Sequence, residues 1–156
     1  RNPACGICPL RDDCAAVRTA DPAAYPVKAA KKTRPHRNGH SWWIERADGH
    51  VWLVRRPDEG LLGGMRALPS SDWSADPAAA PPFAGDWRTL ADPVAHVFTH
   101  FSLALTVHTT HVEQDHVPSG AGEWWPVERI ADAGLPTLFA RAAQAVLKEK
   151  DADARH

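Results

Sequence analysis

The run HSWWIERADGHVWLVRRPDEGLLGGM, residues 40–65, decides the fold. Its two halves, His40 to Arg46 and His50 to Arg56, are rich in tryptophan, isoleucine and valine, side chains that suit a pleated, half-buried surface. Asp48-Gly49 lies between them and predicts an antiparallel hairpin closed by a type I′ turn, because both central positions of that turn need positive φ. From Pro57 to Met65 the glycines at 60, 63 and 64 punctuate the chain too densely for a regular element, and a loop is expected.

Downstream, Phe101, Leu103, Leu105 and Val107 alternate with Ser102, Ala104, Thr106 and His108. That period of two predicts a half-buried strand over Phe101 to Val112, paired across a turn with Val94 to Phe98. Glu123 to Val127 reads as a short edge strand. Leu138, Ala142, Ala145, Val146 and Glu149 recur at helical spacing, with Pro136 suited to the first turn. Prolines, alanines and glycines dominate Ser70 to Pro93, where an irregular surface excursion is expected. Strands first and a closing helix last make an α+β domain.

The chain divides by composition into a cysteine-rich leader (1–14), a linker (15–38), a globular domain (39–150) and a charged tail expected to fray (151–156). The linker carries Pro22, Pro26 and Pro35 and the basic string Lys28, Lys31, Lys32, Arg34 and Arg37. Such a string is either a solvated tether or a set of phosphate contacts that release counterions on binding. The 156 residues hold 18 basic and 19 acidic side chains, a net charge of −1, so any nucleic-acid contact must come from a local patch. No apolar run is long enough to span a bilayer, and no signal sequence opens the chain; a cytoplasmic protein is expected.

All three cysteines fall in the leader, as Cys5, Cys8 and Cys14. An odd, clustered set argues against a disulfide framework and for metal or cluster ligation. Thiolates in a C-x2-C-x5-C pattern can converge on zinc or an iron–sulfur cluster, although three ligands are one short of four. The run from Arg1 through Cys14 resembles the end of the C-x6-C-x2-C-x5-C motif that holds a [4Fe–4S] cluster in MutY and endonuclease III-like glycosylases. The motif's first cysteine would precede Arg1. The chain is therefore expected to begin inside the motif, as a fragment whose three thiols carry no stable cluster by themselves.

Two further stretches share the resemblance. Arg55-Arg56-Pro57, Gly60 to Met65 and Leu68-Pro69 resemble the glycine-rich segment of MutY carboxy-terminal domains, with Arg66 and Ala67 departing from the pattern. Those domains are similar in fold to Nudix (MutT-like) hydrolases, which implies a mixed or antiparallel sheet with a flanking helix. Val94 to Phe101 resembles the strand-turn whose Phe-Ser-His loop reads 8-oxoguanine in that family. Carried over, the reading residues are Phe98, Thr99 and His100, with threonine keeping a hydroxyl that both donates and accepts.

The resemblance implies the lesion-recognition part of an adenine DNA glycosylase of base excision repair, acting where adenine faces 8-oxoguanine. The implied partners are double-stranded DNA carrying that mispair and the amino-terminal catalytic domain of the same protein, in the bacterial cytoplasm at the nucleoid. The catalytic carboxylates of the family belong to the amino-terminal domain, so the chain is expected to be inactive by itself. Two rivals are a degenerate Nudix-like protein-interaction module and a working Nudix pyrophosphohydrolase. The second is disfavoured because Gly60 to Val112 contains no glutamate to hold Mg²⁺. His108, His111 and His116 do not make a zinc site on this reading, since strand alternation sends His108 and His111 to opposite faces.

Overall fold

The computed structural model describes residues 3–19, 21–25 and 33–155, in two compact units, Arg1–Thr33 and Arg34–His156. The described residues of the first unit hold a 3-10 turn at Cys5–Ile7, the one-turn helix α1 (Ala15–Arg18) and a 3-10 turn at Pro22–Ala24.

The second unit is built on a mixed seven-stranded sheet. Its strands are β1 (His36–Arg46), β2 (His50–Arg55), β3 (Arg66–Ala67), β4 (Arg88–Thr89), β5 (Val94–Val97), β6 (Ser102–Val112) and β7 (Gly122–Pro126). β1 and β6 lie parallel and in register over eleven residue pairs, His36 against Ser102 through Arg46 against Val112. The other pairings are antiparallel: β1–β2, β2–β3, β2–β7, β4–β6 and β5–β6. Helix α2 (Thr137–Asp153) follows a 3-10 segment at Val127–Ala133, which ends on left-handed Gly134.

Alternation gives the sheet two apolar faces. Trp43, Val51, Leu53, Leu103, Leu105 and Val107 point to one and pack under Leu138, Phe139, Ala142 and Val146 of α2. The other holds a smaller cluster of Trp42, Ile44 and Trp52, covered by Phe83, Trp87 and Trp124. Both clusters need β1 and β2 to be apolar on consecutive residues, and this explains the Trp42-Trp43-Ile44 run.

The structure corrects several expectations. The β1–β2 connection is the three-residue turn Ala47-Asp48-Gly49, closed by the Gly49 N–H donating to the Arg46 carbonyl at 2.9 Å. Only Gly49 takes a positive φ there (76°), so the turn is a type I turn with a glycine bulge, not type I′. Asp48 accepts both Nε and Nη2 of Arg46 (2.8 and 2.6 Å), and those hydrogen bonds hold its carboxyl down to about 2. β1 starts at His36 rather than His40, because β6 pairs with it that far back. Helix α2 continues to Asp153 instead of fraying after Lys150, with Asp153 bonded to Arg88 of β4 at 2.5 Å. The segment from Ser70 to Pro93 is irregular but not merely superficial: it contributes β4, buried Leu90, and the aromatic rings of Trp73, Phe83 and Trp87.

Candidate nucleic-acid interface

Strands β5 and β6 form a hairpin whose tip is Thr99-His100. Val97 pairs with Ser102, and beyond them the Phe98 N–H donates to the Phe101 carbonyl at 2.9 Å. Thr99 and His100 are exposed, while Phe98 is half-buried. The pairing places Val94, His96 and Phe98 on the face shared with α2.

Behind the tip lies an aromatic cluster. The Phe98 ring sits 4.8 Å from Phe101, 4.5 Å edge-on from His96, and 5.6 Å from Trp73 with an interplanar angle of 23°. Trp73 also approaches Phe101 and, in α2, Phe139 at 6.4 and 6.3 Å. Such offset and tilted pairs add to ordinary burial, because the ring edge of one meets the π face of the next.

Two features deliver Trp73 to this place. Asn38 and Ser74 exchange backbone hydrogen bonds (2.7 and 3.2 Å), and the Asn38 amide donates to the Ala75 carbonyl at 2.9 Å. Gly39 supplies the room: a Cβ there would stand 2.6 Å from the indole Cδ1 of Trp73.

Guanidinium groups cap the cluster. Arg56 lies 4.9 Å above the Trp73 ring and Arg37 lies 4.4 Å above the Phe101 ring. Arg56 also donates to the Leu61 carbonyl at 3.2 Å in the glycine loop. Burial lowers the Arg56 pKa, with Asp72 opposing that shift. Burial, and next the nearby charge of Arg141, lower the pKa of His96 and favour its neutral ring. An exposed hydroxyl and imidazole on a stiff turn, backed by rings and cations, can hydrogen-bond a base edge and attract phosphate.

Of the sequence-predicted residues, Phe98, Thr99 and His100 thus come together at one tip, and Arg37 joins them through Phe101. Arg34 is exposed at the start of the same unit. Lys28, Lys31 and Lys32 lie outside the described residues. Sequence reasoning missed Trp73 and the capping position of Arg56. A glycine inside an otherwise strand-like stretch, here Gly39, was the available signal of a close approach.

The cysteines belong to the first unit. Cys5 opens the 3-10 turn, Cys8 is exposed, and all three thiols are free. Thiolates are the right donors for iron, but among the described residues no three His, Cys, Asp or Glu side chains form a group that could hold a metal.

The sheet, its α2 flank and the glycine loop match a known family. The family model of the NUDIX domain covers residues 40–145. The chain belongs to the NUDIX domain family. Residues 1–14, ahead of the NUDIX domain, match the iron–sulfur binding domain of endonuclease III. Its fold is similar to the carboxy-terminal domain of mouse MUTYH, solved in complex with human PCNA (19% identity, 74% of this chain and 90% of that one, TM-score 0.57). It is also similar to a MutT protein from Methanosarcina mazei Go1 (18%, 77% and 99%, 0.56). A third is the NUDIX domain of Shewanella oneidensis NrtR, solved with ADP ribose (14%, 87% and 98%, 0.52). In this NUDIX domain no helix is described between β3 and β4, and the glutamate-free stretch from Gly60 to Val112 passes through that connection. No helix among the described residues is long and apolar enough to cross a membrane.

Proposed function

We propose that this chain is the lesion-reading part of a MutY-type adenine DNA glycosylase, contacting 8-oxoguanine opposite adenine through Phe98, Thr99 and His100. The observation that carries the reading is the exposed Thr99-His100 tip on a hairpin fixed by the Trp73–Phe98–Phe101 rings and capped by Arg56 and Arg37. Oxidation at C8 converts the N7 acceptor of guanine to an N–H donor and adds a carbonyl. The Thr99 hydroxyl can accept from the first, and a hydroxyl, imidazole or backbone N–H can donate to the second. Phe98 is held in the ring cluster, so it sets the height of the turn while its exposed part meets the base. Arg37 and Arg34, with Lys28, Lys31 and Lys32 of the linker, neutralise phosphates beside the lesion.

Adenine excision belongs to the family's amino-terminal helical domain, which flips the base into its own pocket. The chain by itself therefore binds and does not cleave. In the parent protein Cys5, Cys8 and Cys14 would be three of the four thiolates of a [4Fe–4S] cluster. Its place of work would be the bacterial nucleoid.

Fluorescence anisotropy at low salt, with short duplexes carrying 8-oxoguanine or guanine opposite adenine, tests the reading. One good set of base-edge contacts is worth about 1–3 kcal/mol, a preference of roughly five- to 150-fold. That preference is expected, and it should vanish in the Thr99→Ala, His100→Ala double variant with the fold intact. Equal binding of both duplexes would remove lesion reading from this domain and favour the protein-interaction rival.

A further inference from the structure

The basic side chains of the Arg34–His156 unit fall into two sets. Arg46, Arg66, Arg88, Arg129 and Lys150 are each paired with a carboxylate, at 2.5 to 3.3 Å. Arg37, Arg56 and Arg141 belong to the second set, which makes no ion pair among the described residues. These three gather round the β5–β6 hairpin: Arg37 over Phe101, Arg56 over the Trp73 ring that stacks on Phe98, and Arg141 against Ala95 of β5. The sorting matters because the net charge of the chain is −1, so an anion is drawn only where cations are not already compensated.

Arg141 is the member of this set that no contact accounts for. It stands exposed on the second turn of α2, and its Nη1 donates to the Ala95 carbonyl only at 3.5 Å. A guanidinium carries five N–H donors, so most of them are left for a ligand. α2 has no acidic residue in its first turn. The helix neighbours of Arg141 three and four positions away are Thr137, Leu138, Gln144 and Ala145, none of them charged. Its charge acts on His96, whose pKa falls first through burial and then through Arg141. With that ring neutral, Arg141 supplies the positive charge on this flank.

The sheet register fixes where that flank lies. Arg37, Leu103 and His96 are in register across β1, β6 and β5, on the side of the sheet that packs under α2. Arg37 and His96 are two strand spacings apart, about 10 Å at the backbone, and Arg141 reaches the farther strand from α2. Ala95 precedes Phe98 by three residues, about 10 Å along the strand. A duplex whose base meets the Thr99-His100 tip brings its charged backbone past both flanks. We infer that Arg141 binds a backbone phosphate of duplex DNA on the β5 flank of the hairpin, opposite Arg37, so that the two guanidinium groups bracket the nucleotide presented to Thr99 and His100. Placing that nucleotide between them rests on the lesion-reading proposal; the phosphate contact itself needs only the duplex. Guanidinium suits phosphate because its planar fork gives two parallel N–H···O bonds. A phosphate carries no sequence information, so Arg141 fixes register and does not choose the lesion.

Fluorescence anisotropy of the whole chain over a range of salt concentrations, with 8-oxoguanine or guanine opposite adenine in short duplexes, tests the contact. Each phosphate neutralised contributes about 0.9 to the slope of log affinity against log salt, and Arg141→Ala is expected to lower the slope by that amount in both duplexes. The preference between the duplexes should be kept, and Arg141→Lys should keep the slope because it keeps the charge. Lys148→Ala, exposed two turns further along α2, should leave the slope unchanged. An unmoved slope in Arg141→Ala, or an equal loss in Lys148→Ala, would overturn the contact. Equal binding of both duplexes by the native chain, with the slope still lowered by Arg141→Ala, would remove lesion reading and keep the phosphate contact. A kept preference with an unmoved slope would do the reverse, and binding of neither duplex would remove both.

Discussion

At the scale of single residues, the packing behind the β5–β6 hairpin depends on what Gly39 lacks. A methyl group there would approach Trp73 at 2.6 Å and Leu105 at 3.2 Å, and the Trp73 ring is itself pinned between Arg56, Phe98 and Phe139. Gly39→Ala must therefore push the indole off Phe98 or bend β1. The expected cost is about 1–3 kcal/mol of stability, as for other overpacked cores, read from the urea midpoint. It should also erode any preference for 8-oxoguanine, although Gly39 touches no base. An unchanged midpoint together with full preference would show that Trp73 does not position the hairpin. The resemblance of Val94 to Phe101 to a family strand-turn singled out Phe98, Thr99 and His100 as a group. Trp73 was not legible, because its partners lie 17 and more positions away in the chain and nothing local distinguishes it from the other tryptophans.

At the scale of elements, the β1–β6 ladder carries a titratable pair on the face away from α2. His108 bonds His40 (Nε2 to Nδ1, 2.9 Å) and Thr89 (Nδ1 to Oγ1, 2.9 Å), and its ring lies 6.2 Å from Trp42. Burial, then the neighbouring His40, lowers the pKa of His108. Both ring nitrogens of a protonated His108 must donate, and a second charge on His40 would repel it. The sign follows from linkage: a histidine with a depressed folded pKa favours the neutral ring, so its contribution is present above the ordinary histidine range, about 6.5, and is lost as pH falls through the depressed value. Urea midpoints measured from pH 7 down to pH 5 should fall, and His108→Gln should flatten the decline. An equally steep decline in that variant would assign the effect to other groups. The long strands were legible from composition and alternation, the two-residue strands β3 and β4 were not, and neither was the pairing of β1 with β6. Partners 66 positions apart and parallel leave no turn signal in the sequence between them.

At the scale of the whole molecule, the Arg34–His156 unit holds both apolar clusters and the entire sheet. A chain consisting of residues 34–156 is expected to melt at the temperature of the full chain, by circular dichroism; a drop of several degrees would place part of the stability in residues 1–33. Affinity for DNA should behave differently, because the proposed phosphate contacts are divided between the linker and β1. Each phosphate neutralised contributes about 0.9 to the slope of log affinity against log salt, so Arg37→Ala should reduce that slope by about one in duplexes with and without the lesion. A slope that stays constant would remove Arg37 from the DNA contact.

The sequence by itself determined the elements: the β1–β2 hairpin, the glycine loop, the alternating β6, the closing helix and the cysteine spacing. Each of these is written in residues at most a turn or a strand apart, where periodicity and φ preference act directly. It also marked the exposed tip, because the motif is contiguous. Only the tertiary structure decided which rings back that tip, which arginines cap them, and that Lys150 of α2 reaches Glu45 of β1. Those arrangements depend on contacts between segments distant in the chain, such as Gly39 with Trp73 and Glu45 with Lys150, whose partners are chosen by the packing of the whole domain rather than by any local preference.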